Sequence, residues 1–345
     1  MNPGHESRAP VPGRVVGEAE IVALLAPLTA RLPGAFALAD DCAVWAPEPG
    51  AEVVLKTDAV AEGVHFLPGD APEDVGWKAL AVNVSDLVAK GARPRVYLMS
   101  LSFPEPPDRA WVARFADGLA AAQARFGIVL AGGDTDRRPG PLSVTVAALG
   151  EVPAGRMVRR GAAMPGDLLY VTGTLGDAAL GLVLARDRGR AVELARSWDL
   201  ATEHVAALVD RYRRPQPRMA IAGVLRDHAR AAMDLSDGLM KDLGRMAAAS
   251  GCGARVEAAR LPLSPAVARA LARAPELLAS VAAQGDDYEV LVSVAPGSAA
   301  AFEAAARAAG VAVTAIGMAA ASPTVELIDA AGRPVELPSA GYDHF

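Results

Sequence analysis

The chain has 345 residues, of which 52% are hydrophobic and 21% charged, and its formal net charge is −6. This length gives room for two domains with sizeable cores. The net negative charge argues against non-specific electrostatic binding to nucleic acid. The two cysteines, Cys42 and Cys252, are too few for a disulfide framework or a cysteine-ligated metal site, and they favour a reducing cytoplasm.

The N-terminal segment 1–17 is rich in Pro, Gly and polar side chains and has no apolar core of the kind found in signal peptides. It predicts a disordered tail. No apolar run elsewhere reaches the length of a membrane span, so we expect a soluble protein with no membrane partner.

Residues 18–152 alternate between helical and strand-like patterns. Pro72 can begin a long helix, and Asp108 can cap another. In chain order the patterns predict helices at 18–32, 72–91 and 108–126, and strands at 53–55, 96–103, 128–130 and 142–149. This alternation indicates an α/β layer, which we take as a first domain over 18–152.

The chain changes character near residue 155. Arg156, Arg159 and Arg160 form a basic cluster, and a turn is predicted at 165–167. We therefore expect a second α/β domain over 153–345. Its patterns predict strands at 168–171, 231–233, 288–294 and in the last segments, and helices at 177–185, 217–230, 239–249 and 298–309.

Six short acidic clusters, most of them beside Gly, Ser or Thr, are scattered through both domains. They are Asp40-Asp41, Thr57-Asp58, Ser85-Asp86, Gly132–Thr135, Asp234–Gly238 and Gly285–Glu289. Carboxylates and hydroxyls are hard oxygen donors, the ligand type that Mg²⁺ takes when it bridges to phosphate. Several clusters follow strand-like runs, so folding could bring them together at strand ends. The pattern predicts phosphoryl transfer with metal ions neutralising the phosphate charge.

Some of these residues also have a structural explanation when taken alone. Ser236 or Asp237 could cap the following helix, although a cap does not need Asp234 as well. The glycine pair at 132–133 could be a tight turn, but it could equally expose backbone N–H groups to a phosphate. A single histidine beside aromatic and apolar residues, such as His65, is more often structural than catalytic.

Two common nucleotide-binding loops find little support. Gly173–Gly176 follows a strand and precedes a helix, but the full G-x-G-x-x-G pattern is missing. No G-x-x-x-x-G-K-S/T occurs in the sequence. These observations disfavour a Rossmann cofactor site and exclude a P-loop nucleotide site.

In their order along the chain, the clusters resemble the thiamine-monophosphate kinase family, within the aminoimidazole-ribonucleotide-synthetase-like superfamily of ATP-using enzymes. The closing pentapeptide and the stretch at 63–66 distinguish this family from its superfamily relatives. The resemblance covers nearly the whole chain beyond about residue 17 and rests on Asp40–Ala43, Thr57-Asp58, Gly63–Phe66, Lys78–Asp86, Gly132–Thr135, Tyr170–Thr174, Asp234–Leu239, Asp286–Glu289 and Gly341–Phe345.

The resemblance implies a two-domain, mixed α/β fold of the aminoimidazole-ribonucleotide-synthetase type. Its N-terminal domain would have a mixed sheet with helices, bind ATP and Mg²⁺, and pair its sheet with that of a second copy in a homodimer. The C-terminal domain would be α/β. The implied partners are ATP and thiamine monophosphate.

The resemblance also implies a reaction and a set of site residues. ATP would phosphorylate thiamine monophosphate to thiamine diphosphate with the help of several Mg²⁺ ions, and Asp58, Asp134 and Asp237 would act in catalysis. The implied Mg²⁺ ligands are Asp41, Thr57, Asp58, Asp86, Asp134, Asp234 and Asp237. The implied ATP contacts are Gly133, Asp134, Arg160 and Ser236, and the implied thiamine-phosphate contacts are His65, Asp286 and Tyr342.

Two positions depart from the family pattern. Lys56 stands where relatives often have a small hydroxyl residue that can reach a metal. Asp286 stands where relatives often have Glu, which is one methylene longer. The metal ligand at position 56 is therefore lost or replaced, and the reach of Asp286 to substrate is shortened.

Other enzymes of the superfamily are alternatives: aminoimidazole-ribonucleotide synthetase, selenophosphate synthetase and the hydrogenase-maturation carbamoyl dehydratase. The second is disfavoured because the N-terminal tail has no Cys, and the third because the sequence ends in Phe345 rather than a reactive Cys. In a non-catalytic nucleotide or metal sensor we would expect acidic residues of these clusters to be replaced, whereas nearly all of the clusters are intact.

Overall fold

The structure is a computed structural model in which residues 14–339 and 341–342 are described. Residues 1–13 of the predicted tail, and the last three residues of the terminal Gly341–Phe345 motif, lie outside the described residues.

The N-terminal half is built around a four-stranded mixed sheet. Its elements are α1 (Glu18–Leu25), β1 (Ala51–Ala61), α2 (Pro72–Ala89), β2 (Arg93–Phe103), α3 (Arg109–Phe126), β3 (Val129–Arg137) and β4 (Ser143–Pro153). The strand order is β1-β4-β2-β3, with β4 antiparallel to both of its neighbours and β3 parallel to β2. Helix α2 covers one face of this sheet, and α3 packs against α2.

The C-terminal half contains a six-stranded sheet in the order β10-β7-β9-β5-β8-β6, in which only the β10-β7 pair is parallel among the described strands. The two mixed, helix-covered sheets confirm the predicted α/β class. The elements are β5 (Leu168–Thr172), α4 (Asp177–Arg186), α5 (Arg188–Ser197), α6 (Thr202–Arg213), α7 (Ile221–His228), β6 (Ala231–Asp234), α8 (Leu239–Ser250), β7 (Gly253–Glu257), α9 (Pro265–Arg273), α10 (Leu277–Ala283), β8 (Val290–Val294), α11 (Ala299–Ala308), β9 (Val313–Ala320) and β10 (Val325–Ile328).

Two strands continue past their predicted ends into the acidic clusters. β1 continues through Thr57 and Asp58, and β3 continues through Gly132–Thr135, so the glycine pair lies inside a strand and not in a turn. Pairing with β2 maintains the extended conformation of β3 beyond its apolar part. A Cβ at Gly133 would collide with the carbonyl oxygen of Met99, so this close pairing requires glycine.

The helix predicted at 18–32 ends at Leu25. A 3₁₀ turn with Pro27 near its start follows, because proline lacks the N–H that would continue the α-helix. In the second half, α5, α6, α9, α10 and β7 lie in segments for which no element was predicted. None of the described helices combines the length and apolarity needed to cross a bilayer.

Helix α2 joins the two halves, and nearly all of its residues are buried. One side packs on β1 and β4, and the other meets α7, β6 and β8 of the C-terminal half. At its start, the indole N–H of Trp77 donates to the carbonyl oxygen of Pro215 at 2.8 Å. Just beyond its end, Nζ of Lys90 donates to the carbonyl oxygen of Ala232 at 2.7 Å. The helix therefore fixes the N-terminal sheet against the strand that carries Asp234.

Candidate active site

A cavity of about 1120 Å³ lies between the two halves. Its N-terminal wall comes from β1, the segment after it and α2. The C-terminal wall comes from the loop after β6, helices α4, α8 and α10, the loop after α10 and the C-terminal segment. Groups that hold cations and groups that bind anions thus share one space. The charged and titratable side chains that line it include Lys56, Asp58, His65, Asp86, Lys90, Arg160, Asp234, Asp237, Arg245 and Asp286.

A charged bridge connects β1 to α2 at this cavity. Lys56 and Asp58 are two residues apart on β1, so their side chains lie on the same face of the sheet. Nζ of Lys56 is 3.0 Å from Oδ2 of Asp58 and 2.7 Å from Oδ2 of Asp86. Burial raises the pKa of Asp58, and the ammonium of Lys56 opposes that rise. Burial alone would lower the pKa of Lys56, but Asp86 and Asp58 outweigh it and raise this pKa above its ordinary value.

Asn83 sets the position of Asp58 relative to α2. The Asn83 side chain is buried, and its Oδ1 accepts a hydrogen bond of 2.9 Å from the backbone N–H of Asp58. Its Nδ2 donates to the carbonyl oxygen of Ala79 at 3.0 Å, which keeps the amide in one orientation. An apolar residue here would leave the Asp58 N–H without this partner.

The loop after β6 is organised by a carboxylate on the next helix. Oδ2 of the buried Asp242 accepts hydrogen bonds from the backbone N–H groups of Ser236 at 3.0 Å and Asp237 at 2.9 Å. Nη1 of Arg245 lies 2.6 Å from Oδ2 of Asp237 and so holds that side chain at the cavity. The N-cap of α8 is Gly238 and no side chain caps the helix, so the capping explanation of Ser236 and Asp237 does not apply.

The side chain of Asp234 is buried beside two other carboxylates. Within the described structure its Oδ2 has no hydrogen-bond partner, nor does Oγ of Ser85. Burial raises the pKa of Asp234 well above its ordinary value, and the nearby Asp86 and Asp242 carboxylates raise it further. A cation beside Asp234 and Asp86 would satisfy the oxygen and offset the cost of burying the charge.

This donor set suits a divalent cation, since carboxylate oxygens are the ligands that Mg²⁺ takes. The described residues nevertheless contain no group of three or more His, Cys, Asp or Glu side chains arranged to hold a metal ion. The carboxylates of one chain therefore fit Mg²⁺ in chemistry but do not form a closed cluster by themselves.

Backbone hydrogen bonds join the Gly285–Glu289 loop to the loop that follows Asp234. The N–H of Asp286 donates to the carbonyl oxygen of Ser236 at 2.9 Å, and Asp286 adopts a left-handed conformation with φ 72°. Oδ2 of Asp286 lies 2.9 Å from Nζ of Lys78, and Oδ1 accepts from the hydroxyl of Tyr288 at 3.1 Å. The carboxylate at this departure from the family pattern is therefore tied to α2.

The next two acids of this cluster have partners inside the C-terminal half. Glu289 is buried, and its Oε2 accepts from Oγ1 of Thr172 at 2.7 Å. Oδ2 of Asp287 accepts from the backbone N–H of Gly176 at 2.9 Å, and burial raises the pKa of Asp287 to about 7. Of the three acids in the Gly285–Glu289 cluster, only Asp286 lines the cavity among the described residues.

The remaining predicted ATP and substrate residues that line the cavity are His65, Arg160, Ser236 and Tyr342. Nδ1 of His65 accepts from the backbone N–H of Ala61 at 3.1 Å, which fixes the orientation of the imidazole. The backbone N–H of Tyr342 donates to the carbonyl oxygen of Asp237 at 3.0 Å. The C-terminal segment is thereby held at the rim beside the Asp234 loop.

Four predicted site residues lie elsewhere in the described part of this chain: Asp41, Thr57, Gly133 and Asp134. Strands β1 and β3 are the two edges of the sheet, which places them about 14 Å apart. Asp58 is in register with Val146, Met99 and then Gly133, so Asp134 lies one position further on and on the opposite face.

Sequence reasoning missed several groups at or beside the cavity. Positions four residues apart lie along one side of a helix, and Lys78, Val82, Asp86 and Lys90 follow this spacing along α2 and its C-cap. The three charged side chains in this row were a readable signal. Asp242, in contrast, contacts a loop whose conformation the local sequence does not define.

Comparison with known proteins identifies the family. Residues 39–152 and 164–330 match the N-terminal and C-terminal domains of AIR synthase related proteins. A thiamine-monophosphate kinase from Caulobacter vibrioides is 43% identical over 300 residues, which are 86% of this chain and 82% of the relative. The chain belongs to the thiamine-monophosphate kinase family.

Solved structures of this family share the fold. The thiamine-monophosphate kinase of Stenotrophomonas maltophilia K279a has a TM-score of 0.79 and 36% identity, covering 93% of this chain and 99% of the other. AaThiL complexed with AMPPCP and TMP has a TM-score of 0.73 and 31% identity, covering 89% of this chain and 91% of that one.

Proposed function

We propose that this chain transfers the γ-phosphoryl group of ATP to thiamine monophosphate and releases ADP and thiamine diphosphate. The observation that carries the proposal is the cavity between the halves, where carboxylates and basic side chains meet in a member of the thiamine-monophosphate kinase family. The AaThiL complex with AMPPCP and TMP supports the assignment of both ligands.

The basic and aromatic residues of the cavity suit the two substrates. Arg160, which lines the same cavity as Ser236, can bind a phosphate of ATP through its planar fork. The thiazolium of thiamine is cationic, so the Asp286 carboxylate and the ring of Tyr342 favour it electrostatically, and His65 lines the same cavity from the N-terminal half. Relatives often have the longer Glu at position 286. Here the ion pair with Lys78 fixes the position of the shorter Asp286 carboxylate.

The carboxylates of Asp58, Asp86, Asp234 and Asp237 would hold Mg²⁺ in this cavity. A divalent ion held by these carboxylates would supply positive charge against the phosphates of the two substrates. The protein contributes by fixing the carboxylates: Asn83 positions Asp58, and Asp242 positions the loop that ends in Asp237.

The acceptor phosphate is already anionic at neutral pH, so the transfer requires no strong general base. We therefore infer direct in-line transfer to the acceptor without a phospho-enzyme. The measurement is to quench a turnover reaction that contains γ-labelled ATP and analyse the protein. Recovery of a covalently labelled chain would overturn direct transfer.

A substrate comparison tests the function as a whole. ADP release, followed by a coupled assay, should require thiamine monophosphate and should not respond to the substrates of aminoimidazole-ribonucleotide synthetase, selenophosphate synthetase or the carbamoyl dehydratase. Thiamine diphosphate should form in equal amount to ADP. If ADP were released with one of the other substrates and not with thiamine monophosphate, the chain would have that other activity instead.

We further propose a homodimer that completes the site. Asp134 and Thr57 lie on the sheet face that also carries the exposed side chains of Leu55 and Leu98, which are 73% and 46% accessible. An apolar sheet face of this kind is suited to burial against a second copy. Face-to-face pairing would let the partner supply Asp41, Thr57, Gly133 and Asp134 to a site whose other residues come from the first chain.

Complementation tests this dimer. Asp58→Ala and Asp134→Ala should each be inactive alone, but differently tagged copies produced together should regain up to about a quarter of wild-type activity, because one site per mixed dimer is intact. The singly substituted proteins, each produced with a second copy of itself, are the controls. A mixed dimer without recovered activity would place Asp134 outside the shared site.

We place the reaction in the cytoplasm. Cys42 is exposed and Cys252 is buried, and both are free thiols, as expected of a protein in a reducing compartment. Cell fractionation should recover thiamine-monophosphate kinase activity with the cytoplasmic marker enzymes. Recovery with the membrane pellet would contradict this placement.

A further inference from the structure

Lys56 occupies the position between two carboxylates that are expected to bind metal. Its Nζ contacts Oδ2 of Asp58 on β1 and Oδ2 of Asp86 on α2, and the Lys56 side chain is only 27% exposed. The ammonium thus bridges two elements in the way that a bound cation would.

The bridge solves a charge problem at this point of the cavity. Two carboxylates that approach one another repel where water is partly excluded, and a cation between them offsets this repulsion. The Lys56 ammonium is a compact charge with three donors, and it cannot dissociate because the side chain is covalently attached. It therefore offsets one of the two negative charges of Asp58 and Asp86 without any bound metal.

The distribution of lysine supports a particular use of the ammonium here. The chain has 34 Lys and Arg residues, and only four of them are lysines. Lys56 and Lys90 line the cavity, Lys78 pairs with Asp286, and Lys241 lies 3.8 Å from Asp237. All four lysines therefore lie at or beside the cavity, and their ammonium groups are more compact charges than the guanidinium fork of arginine.

We propose that Lys56 is a built-in cation that takes the place of one divalent ion between Asp58 and Asp86. This inference rests on the proposed Mg²⁺-dependent function, and it concerns how many ions the site takes. The divalent ions would then be held from the side of Asp234 and Asp237, with Asp58 and Asp86 contributing the carboxylate oxygens that Lys56 does not contact. It follows that a chain with serine at position 56 binds one more divalent ion than the natural chain.

Counting bound Mn²⁺ tests the proposal. Free Mn²⁺ is measured by electron paramagnetic resonance during titration of the wild type, Lys56→Ser and Lys56→Met, with Mn²⁺ alone and with Mn²⁺ plus AMPPCP. Lys56→Ser and Lys56→Met should each bind one more Mn²⁺ per chain than the wild type, and Lys56→Met should bind it more weakly because it adds no oxygen ligand. Arg333→Ser, which removes one charge from the exposed pair with Asp329, should keep the wild-type count.

The same proteins give a readout that does not depend on activity. Without metal, Lys56→Ser and Lys56→Met leave Asp58 and Asp86 without a cation, so their melting temperatures should be lower than that of the wild type. Mn²⁺ should raise the melting temperatures of these variants by more than it raises that of the wild type.

The outcomes separate this inference from the proposed function. Equal Mn²⁺ counts and equal Mn²⁺-induced shifts in wild type and Lys56→Ser would overturn the role of Lys56 and leave the metal-dependent reaction in place. No Mn²⁺ bound by any of the proteins, even with AMPPCP, would overturn the proposed metal site and this inference with it.

Discussion

Asp58 is the residue whose loss should affect activity most and the fold least. Asp58→Asn keeps the side-chain shape and removes the charge, and Lys56 stays paired with Asp86. We expect turnover to fall by about 10²-fold or more, because a carboxylate proposed to hold Mg²⁺ is lost, while the free energy of unfolding changes by about 1 kcal/mol or less. ADP release and urea unfolding measure the two quantities.

The matched control for that substitution is Glu52→Gln. Glu52 is an exposed acid on the same strand, away from the cavity, so the variant loses the same charge without reaching the site. Its turnover should equal that of the wild type. Near-normal turnover in Asp58→Asn would remove Asp58 from the proposed catalytic set.

Asp287 should make stability depend on pH. Burial raises its pKa from 3.8 to about 7 in the folded protein, so between these values the folded chain retains a proton that the unfolded chain releases. The free energy of unfolding therefore falls as the pH rises from about 4 to about 7 and levels off above that range. Asp287→Asn cannot ionise, so its unfolding free energy should lack this part of the fall, an effect of at least about 1 kcal/mol.

Urea unfolding of both proteins at several pH values gives the comparison. Asp329→Asn is the control, because Arg333 and the backbone N–H groups lower the pKa of Asp329, and that group stays ionised throughout this range. Parallel curves for the wild type and Asp287→Asn between pH 4 and 7 would mean that Asp287 is ionised in the folded protein.

At the scale of elements, helix α8 positions the loop in front of it through Asp242. We expect Asp242→Ala to reduce turnover and to lower the free energy of unfolding by about 1–3 kcal/mol, because two backbone N–H groups lose their acceptor. Asp242→Asn keeps an acceptor oxygen and should be affected less in both respects. Steady-state kinetics and urea unfolding check the order.

The control for α8 is Glu257→Gln, which removes an acid from the exposed pair with Arg260. It should leave both turnover and stability unchanged. If Asp242→Ala matched this control, the loop would keep its conformation without the Asp242 carboxylate.

How far the sequence predicts an element depends on whether the determining interactions are local. Helices α2 and α3 begin at Pro72 and after the Asp108 cap, as predicted, because a proline and a cap act within one turn. The ends of β1 and β3 were missed, since only pairing with β4 and β2 keeps Asp58 and Gly133 extended. Helix α9 was missed although Ser264 caps it and Pro265 begins it, whereas the short helix α10 has no side-chain cap and depends on packing.

The same distinction applies to the site. The acidic clusters and their order identified the chemistry, and the cavity brings together Asp58, Asp86, Asp234 and Asp237 from both halves. The contact of Lys78 with Asp286 spans 208 positions in sequence, so no spacing rule could have found it. Lys56 was recognised as a departure, but its bridge between two carboxylates is visible only in the fold.

At the scale of the whole molecule, the cavity depends on two halves that share a core. One cluster of buried apolar residues contains Leu80 and Val84 of α2 together with Ile221 and Val292 of the C-terminal half. A core that crosses the boundary should make both halves unfold together, unlike domains joined by a small polar interface. This cooperativity keeps Asp58 and Asp234 in place without a ligand.

Hydrogen exchange in increasing urea tests this coupling. Peptides from β2 and β8 should reach the same global opening free energy, and Leu80→Ala should lower it in both by about 2–5 kcal/mol, because Leu80 is fully buried. Val192→Ala, at a side chain that is 62% exposed, should change neither. If Leu80→Ala lowered protection in β2 alone, the halves would be separate cooperative units, and the cavity between them would have to be assembled by its substrates.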